Sequence, residues 1–223
     1  TYAATLATRV VRALIAIAAY FDLDTRQMDA VNAFTNTVLD QEVYVQCPEG
    51  FEIPGKHLKL LRALYGLRGS PRLWYEEFTA TLKRLGLTQI PDALCLYVAP
   101  SFILFFFVDD VVIFSYKDAQ TEVDRFEERL LEVYEFKKQG ELEWFLGIRI
   151  LRNRKEQTIW MSQAAYVDKL VESFNIESTS YPKTPMSVID LIAYEGTATT
   201  QEIHFYQRKV GSVNYIAVIT RLD

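Results

Sequence analysis

The stretch from Phe102 to Phe114 constrains the fold more than any other part of the chain. It is thirteen residues long and apolar throughout, except for Asp109 and Asp110 near its middle. A membrane-spanning helix needs about 20 apolar residues and does not tolerate carboxylates at its centre. The pattern instead predicts two buried β-strands, residues 102 to 108 and 111 to 115, joined as a hairpin through the acidic pair. Adjacent strand residues point to opposite faces. Two neighbouring carboxylates therefore cannot both enter one core, and a turn at the sheet's edge resolves the conflict. A solvent-exposed Asp-Asp turn is the plain alternative, since Asp is a favoured turn residue. Asp29 weighs against it, because it too ends a segment patterned as a strand, residues 21 to 29.

Composition narrows the remaining choices. Half of the 223 residues are hydrophobic and 24% are charged, enough to build a core and too apolar for a disordered chain. Cys47 and Cys95 are the only cysteines and His57 and His204 the only histidines, which excludes a disulfide scaffold and a Cys/His zinc site. The net charge of -5 excludes a protein basic all over, but leaves room for a local basic groove. Residues 10 to 21 are apolar apart from Arg12; without an initiating Met or a small-residue cleavage site they do not read as a signal peptide. The chain opens at Thr1 and closes just after an apolar run, which reads as a piece of something longer.

Periodicity supplies the element order. Residues 6 to 20 read as a helix, 30 to 39 as a short helix or turn, 42 to 46 as a short strand, and 95 to 98 as a strand that a turn at 99 to 101 joins to the next. Pro71 suits the first position of a helix running to about Leu85, with Ser70 as its N-cap and Gly86 as its stop. Residues 118 to 135 form an amphipathic helix, 144 to 151 and 158 to 161 a second hairpin, and 164 to 174 a short helix. Pro182, Pro185 and Ser/Thr/Ala-rich stretches make 178 to 200 a linker. The order β-α-β-β-α-β is an α+β pattern close to a split βαβ arrangement.

In such a sheet the central strands are neighbours, so Asp29, Asp109 and Asp110 meet at one end. Clustered carboxylates repel one another and need cations, and hard oxygen ligands suit Mg²⁺ with water and phosphates. Two such ions about 3.5–4 Å apart are the machinery of phosphoryl transfer in polymerases.

Longer blocks carry a family resemblance. Gln27-Met28-Asp29-Ala30-Val31-Asn32-Ala33-Phe34 resembles the first catalytic motif of copia-type LTR-retrotransposon reverse transcriptases, and Glu42 to Phe51 resembles the segment that follows it. Leu61-Arg62-Ala63-Leu64-Tyr65-Gly66-Leu67-Arg68-Gly69-Ser70-Pro71-Arg72-Leu73-Trp74-Tyr75 is similar to the family's "LYGLKQAPRxWY" block. Phe107-Val108-Asp109-Asp110 stands where the family has Tyr-Val-Asp-Asp, Trp144 to Ile148 resembles "FLGI", and Tyr206 to Asp223 resembles the tail leading towards ribonuclease H. The blocks occur in the family's order along nearly the whole chain.

The resemblance implies a right-hand polymerase palm, a split βαβ-like antiparallel sheet with helices on one face, with partial fingers and thumb. The implied division is 1–20 as a fingers or entry-helix remnant, 21–151 as palm with embedded fingers elements, 152–177 as the start of the thumb, and 178–223 as linker and lead to ribonuclease H. It implies attack of a primer 3′-hydroxyl on a dNTP, with two Mg²⁺ ions, for which Mn²⁺ can substitute. Asp29, Asp109 and Asp110 would be the catalytic and metal-binding carboxylates, with Ala30 beside them as a further metal ligand. Phe34 would select deoxyribose, against plain core packing as the alternative. Tyr65, Gly66, Arg68, Ser70 and Pro71 would border the nucleotide, and Trp144, Phe145, Leu146 and Gly147 would form the primer grip. Lys56, Lys59, Arg72, Arg149 and Arg152 lie in two stretches free of acidic residues, 53–75 and 144–155. They would contact the nucleic-acid backbone, against ordinary surface charge as the alternative.

Implied partners are an RNA template, a DNA primer and dNTPs, with integrase upstream and ribonuclease H downstream in one polyprotein. The implied setting is a cytoplasmic virus-like particle, with nuclear entry after transposition and no membrane or secretion. Gly69-Ser70, Phe107 and Leu222 depart from the family's residues, but no carboxylate is lost. Nothing like the family's basic upstream fingers segment precedes Asp29 here, so the bare chain is expected to polymerise poorly. A non-catalytic remnant of such an enzyme is the competing reading, and a Mg²⁺-dependent nuclease or phosphatase stands behind it.

Overall fold

The computed structural model describes residues 3–176 and 196–221. Helix α1 is Thr8–Tyr20, strand β1 Asp24–Ala30, and a 3₁₀ turn covers Ala33–Asn36. A small exposed hairpin follows, β2 (Tyr44–Val45) with β3 (Leu58–Lys59), and then helix α2, Ser70–Arg84. Strands β4 (Thr88–Ile90), β5 (Ala93–Val98), β6 (Phe102–Phe107) and β7 (Asp110–Ser115) come next. Helix α3 (Gln120–Leu131) leads to β8 (Phe136–Gly140) and β9 (Trp144–Phe145). The chain then forms β10 (Ile148–Asn153), β11 (Thr158–Ser162), α4 (Ala164–Ser173) and α5 (Thr200–Ile219).

The architecture mixes helices with an open sheet. Its six strands run in the order β4-β5-β6-β7-β1-β8. Every neighbouring pair is antiparallel. The expected elements form with shifted ends. Three strands have no counterpart in the periodicity reading, β3, β4 and β8, and the last two are the edges of the six-stranded sheet. An edge strand faces solvent and carries charge rather than an apolar alternation, as Phe136-Lys137-Lys138-Gln139-Gly140 does.

Register divides the sheet into two faces, because directly paired residues point the same way. Phe102 and Phe106 of β6 share a face with Met28 and Arg26 of β1. Phe102 meets Phe126 of α3 at 5.0 Å, and Phe106 meets Phe78 of α2 edge-on at 5.0 Å. Helices α2 and α3 therefore pack on this one face. Helix α2 presents Trp74, Phe78 and Leu82 at four-residue spacing, and all three are fully buried. Each such side chain contributes about 1.5–3 kcal/mol of burial. Gly86, at φ +97°, ends the helix where a β-carbon would be strained.

Ser70 is not the N-cap expected of it. Gly69 occupies that position, and the Ser70 hydroxyl donates to the Leu64 carbonyl at 2.7 Å and accepts from the Leu64 amide at 3.2 Å. A serine turned back onto the preceding loop cannot also bond the first turn of its own helix.

Two compact units divide the chain. The first is Thr1–Phe145 with Arg152–Ile159, and the second is Leu146–Leu151 with Trp160–Asp223. Within the second, α5 begins with a capping box in which Thr199 accepts from the Glu202 amide and Glu202 accepts from the Thr199 amide. Tyr166 packs on Tyr215 and Phe174 on Phe205. The expected linker, 178 to 200, lies almost entirely outside the described residues. Among the described residues, no helix is long and apolar enough to cross a membrane.

Candidate functional site

Strands β1 and β7 lie side by side, and their register sets Asp29 directly opposite Asp110. Both belong to the sheet face turned away from α2 and α3. Further along that face Thr25, Val112 and Phe114 are buried, and Phe105 packs on Phe145 at 5.5 Å. The end carrying Asp29 and Asp110 stays partly open. Asp109 sits in the turn between β6 and β7, where its carbonyl accepts from the Ala30 amide at 2.9 Å. The residue before it, Val108, has φ +59°, and its carbonyl accepts from the Trp74 indole at 2.7 Å.

Charge is crowded here. Burial raises the Asp110 carboxyl above its ordinary pKa, Asp109 and Asp29 raise it further, and a hydrogen bond from Gln27 opposes them. Asp29 is raised by burial and by the charge of Asp109, with Lys137 opposing. Lys137 lies opposite Asp29 on β8. Gln27 is buried and donates to Asp110 Oδ1 at 3.1 Å and to the Trp144 carbonyl at 2.9 Å.

Asp29 and Asp110 thus face each other across β1 and β7, with Asp109 in the adjoining turn. Among the described residues, no group of three or more His, Cys, Asp or Glu side chains is arranged to hold a metal ion. The donor set still suits Mg²⁺, which is commonly held by one or two carboxylates plus substrate phosphates and water rather than by an all-protein cage. Two crowded carboxyls with raised pKa values are groups that a divalent cation would relieve.

Phe34 follows in the 3₁₀ turn and is only 8% exposed. Tyr65 lies against it, rings 4.3 Å apart at 44°, and is itself 50% exposed. Burial first, then the charges of Asp109 and Asp29, raise the Tyr65 phenol, so its hydroxyl lies within reach of the carboxylates' field. The plain-packing alternative for Phe34 thus has real content, and Tyr65 is the more exposed of the two rings. Gly66, at φ +94°, makes the turn that follows Tyr65. Arg68 is exposed, Pro71 lies in the first turn of α2, and Ser70 is fully buried and engaged with Leu64 rather than open to a ligand.

The residues expected at the primer split between the units. Phe145 is buried in the first unit, and Trp144 is half-exposed with its carbonyl held by Gln27. Leu146 and Gly147 belong to the second unit, both with positive φ.

The basic residues have varied surroundings. Lys56 and Arg149 are exposed. Lys59 pairs with Glu42, and Arg72 pairs with Asp40 and with Glu76 at 2.8 Å. Arg152 bridges parts of the first unit. It is 13% exposed, donates to the Ala18 and Leu23 carbonyls and pairs with Asp22 at 2.8 Å. Asp22, at φ +48°, also pairs with Lys117 and Arg154. A hydrogen bond from Lys117 leads the causes that lower its pKa to about 2. The signal for this role was Asp22 itself, an acid between helix and strand whose cations come from distant parts of the sequence.

The family model described as "Reverse transcriptase (RNA-dependent DNA polymerase)" matches residues 1–188, and the chain belongs to that family. It is 31% identical, over 96% of its length, to the retrovirus-related Pol polyprotein from transposon TNT 1-94 of Nicotiana tabacum. It is 29% and 27% identical, over its full length, to those from transposons RE1 and RE2 of Arabidopsis thaliana. These are copia-type LTR-retrotransposon polyproteins. The chain spans 17%, 15% and 16% of their respective lengths.

Proposed function

We propose that this chain is the palm-centred portion of a retrotransposon Pol polyprotein, and that the open end of its sheet performs RNA-templated nucleotidyl transfer to a primer 3′-hydroxyl. The observation that carries the reading is the register of β1 and β7, with Asp29 opposite Asp110 and Asp109 in the adjoining turn. In this reading the first unit supplies the palm and the β2–β3 hairpin belongs to the fingers. Integrase and ribonuclease H segments flank it in the polyprotein.

Asp29 and Asp109, with Asp110 and the Ala30 backbone, would hold Mg²⁺ or Mn²⁺. When bound, the metal neutralises triphosphate charge and lowers the pKa of the attacking hydroxyl. The remaining work falls to positioning, which makes up most of phosphoryl-transfer catalysis. Gln27 orients Asp110 through Oδ1 and ties it to the β9 backbone, where the primer end would rest. Tyr65 and Phe34 form an aromatic wall beside the carboxylates, against which a 2′-hydroxyl would clash. Gly66 and Arg68 border the triphosphate, and exposed Lys56 and Arg149 contact nucleic-acid phosphates.

Extension of an oligo(dT) primer on poly(rA), by the chain alone and by the chain joined to the fingers segment of an intact relative, tests this reading. Incorporation is expected to require Mg²⁺ or Mn²⁺ and to fall at least about 100-fold in Asp109→Asn, since losing charge stabilisation costs several kcal/mol of barrier. Extension that survives this substitution would reject the assignment.

A further inference from the structure

Trp74 does more than its packing requires. It is 1% exposed, stacks on Phe78 at 5.0 Å and meets Tyr134 edge-on at 5.2 Å. Its indole N–H reaches out of that cluster and donates to the Val108 carbonyl at 2.7 Å. Phe107 and Asp110 are the last paired residues of β6 and β7, so Val108 and Asp109 alone make the turn. Of these two, only Val108 has positive φ, at +59°. A two-residue hairpin turn with positive φ at its first position normally takes glycine there. A β-branched residue in that region is strained, and strain persists only where the surroundings enforce it. The next carbonyl, of Asp109, accepts from the Ala30 amide at 2.9 Å. The turn is thus fastened at two successive carbonyls, one by α2 and one by β1.

We infer that Trp74 is a positioning residue that holds the Val108–Asp109 turn in its strained form and so fixes where Asp109 stands. The functional consequence rests on the proposed polymerase reading; the mechanical claim does not. A cycle of Trp74→Phe, Val108→Gly and the double variant separates the two. Trp74→Phe keeps an aromatic ring and removes the donor, and glycine adopts positive φ without strain.

Hydrogen exchange at the amides of residues 108 to 110 is expected to quicken about tenfold in Trp74→Phe, relative to the rest of β6 and β7. Adding Val108→Gly should return it to within about twofold of Val108→Gly alone, because the turn no longer needs the bond. In primer extension, kcat should fall about tenfold in Trp74→Phe with KM for dTTP unchanged, and the double variant should recover it. Exchange that quickens uniformly across the sheet, or a double variant no better than Trp74→Phe, would overturn the inference. So would failure of both single and double Trp74 variants to fold, because packing alone would then account for the residue. If exchange behaves as expected but neither parent nor variants extend a primer even with a fingers segment from an intact relative joined to the chain, the polymerase reading fails and the positioning role stands.

Discussion

Asp110 is where stability and the proposed chemistry oppose each other. Its carboxyl is raised by burial and by two neighbouring carboxylates, so the folded state holds this proton more tightly than the unfolded state does. Stability from this group is therefore present at low pH and lost as pH rises through the elevated folded pKa. Asp110→Asn removes the repulsion and keeps an oxygen for Gln27. It is expected to raise the thermal midpoint at pH 7 by about 2 °C, with the gain vanishing towards pH 3. Calorimetry across that range checks it; a midpoint lowered at pH 7 would mean that the crowding is not felt. The sequence made these carboxylates visible as charges interrupting an apolar run. It did not reveal that Tyr65 lies over Phe34 or that Arg152 is spent on Asp22, because both contacts join distant positions through the fold. A basic residue in an acid-free stretch says nothing of an acid 130 residues away.

At the scale of elements, α3 is tied to the sheet by a buried acid. Glu127 is 2% exposed and pairs with Arg26 of β1 at 3.0 Å and with Lys138 of β8 at 2.5 Å. Arg26 also pairs with Asp124. Removing the two sides should therefore cost unequally. Arg26→Met strips the buried Glu127 of its less exposed cation and should cost about 3 kcal/mol, while Glu127→Gln removes the buried charge itself and should cost about 1 kcal/mol. Urea midpoints measure both, and equal losses would contradict this account of the triad. The same element level explains which strands were legible. Strands β5, β6 and β7 have apolar neighbours and announce themselves by composition. Strands β4 and β8 close the sheet's edges with little apolar pattern, so only their pairing defines them. Helix α5 falls where the sequence resembles the family's tail, and Thr199 and Glu202 carry the spacing of a capping box that marks its start.

At the scale of the molecule, α2 and α3 pack on one face of the six-stranded sheet, and the acidic end of the other face is partly open. The most direct test of this account is binding of Mn²⁺ with dTTP, followed by electron paramagnetic resonance in the parent chain and in Asp29→Asn, Asp109→Asn and Asp110→Asn. Because the carboxylates and the triphosphate would ligate the same ion, Mn²⁺ and dTTP should each strengthen the other's binding about tenfold or more, and Asp29→Asn and Asp109→Asn should abolish that coupling. Coupling of the same size in the parent and all three variants would contradict the claim that this sheet end is the metal–nucleotide site.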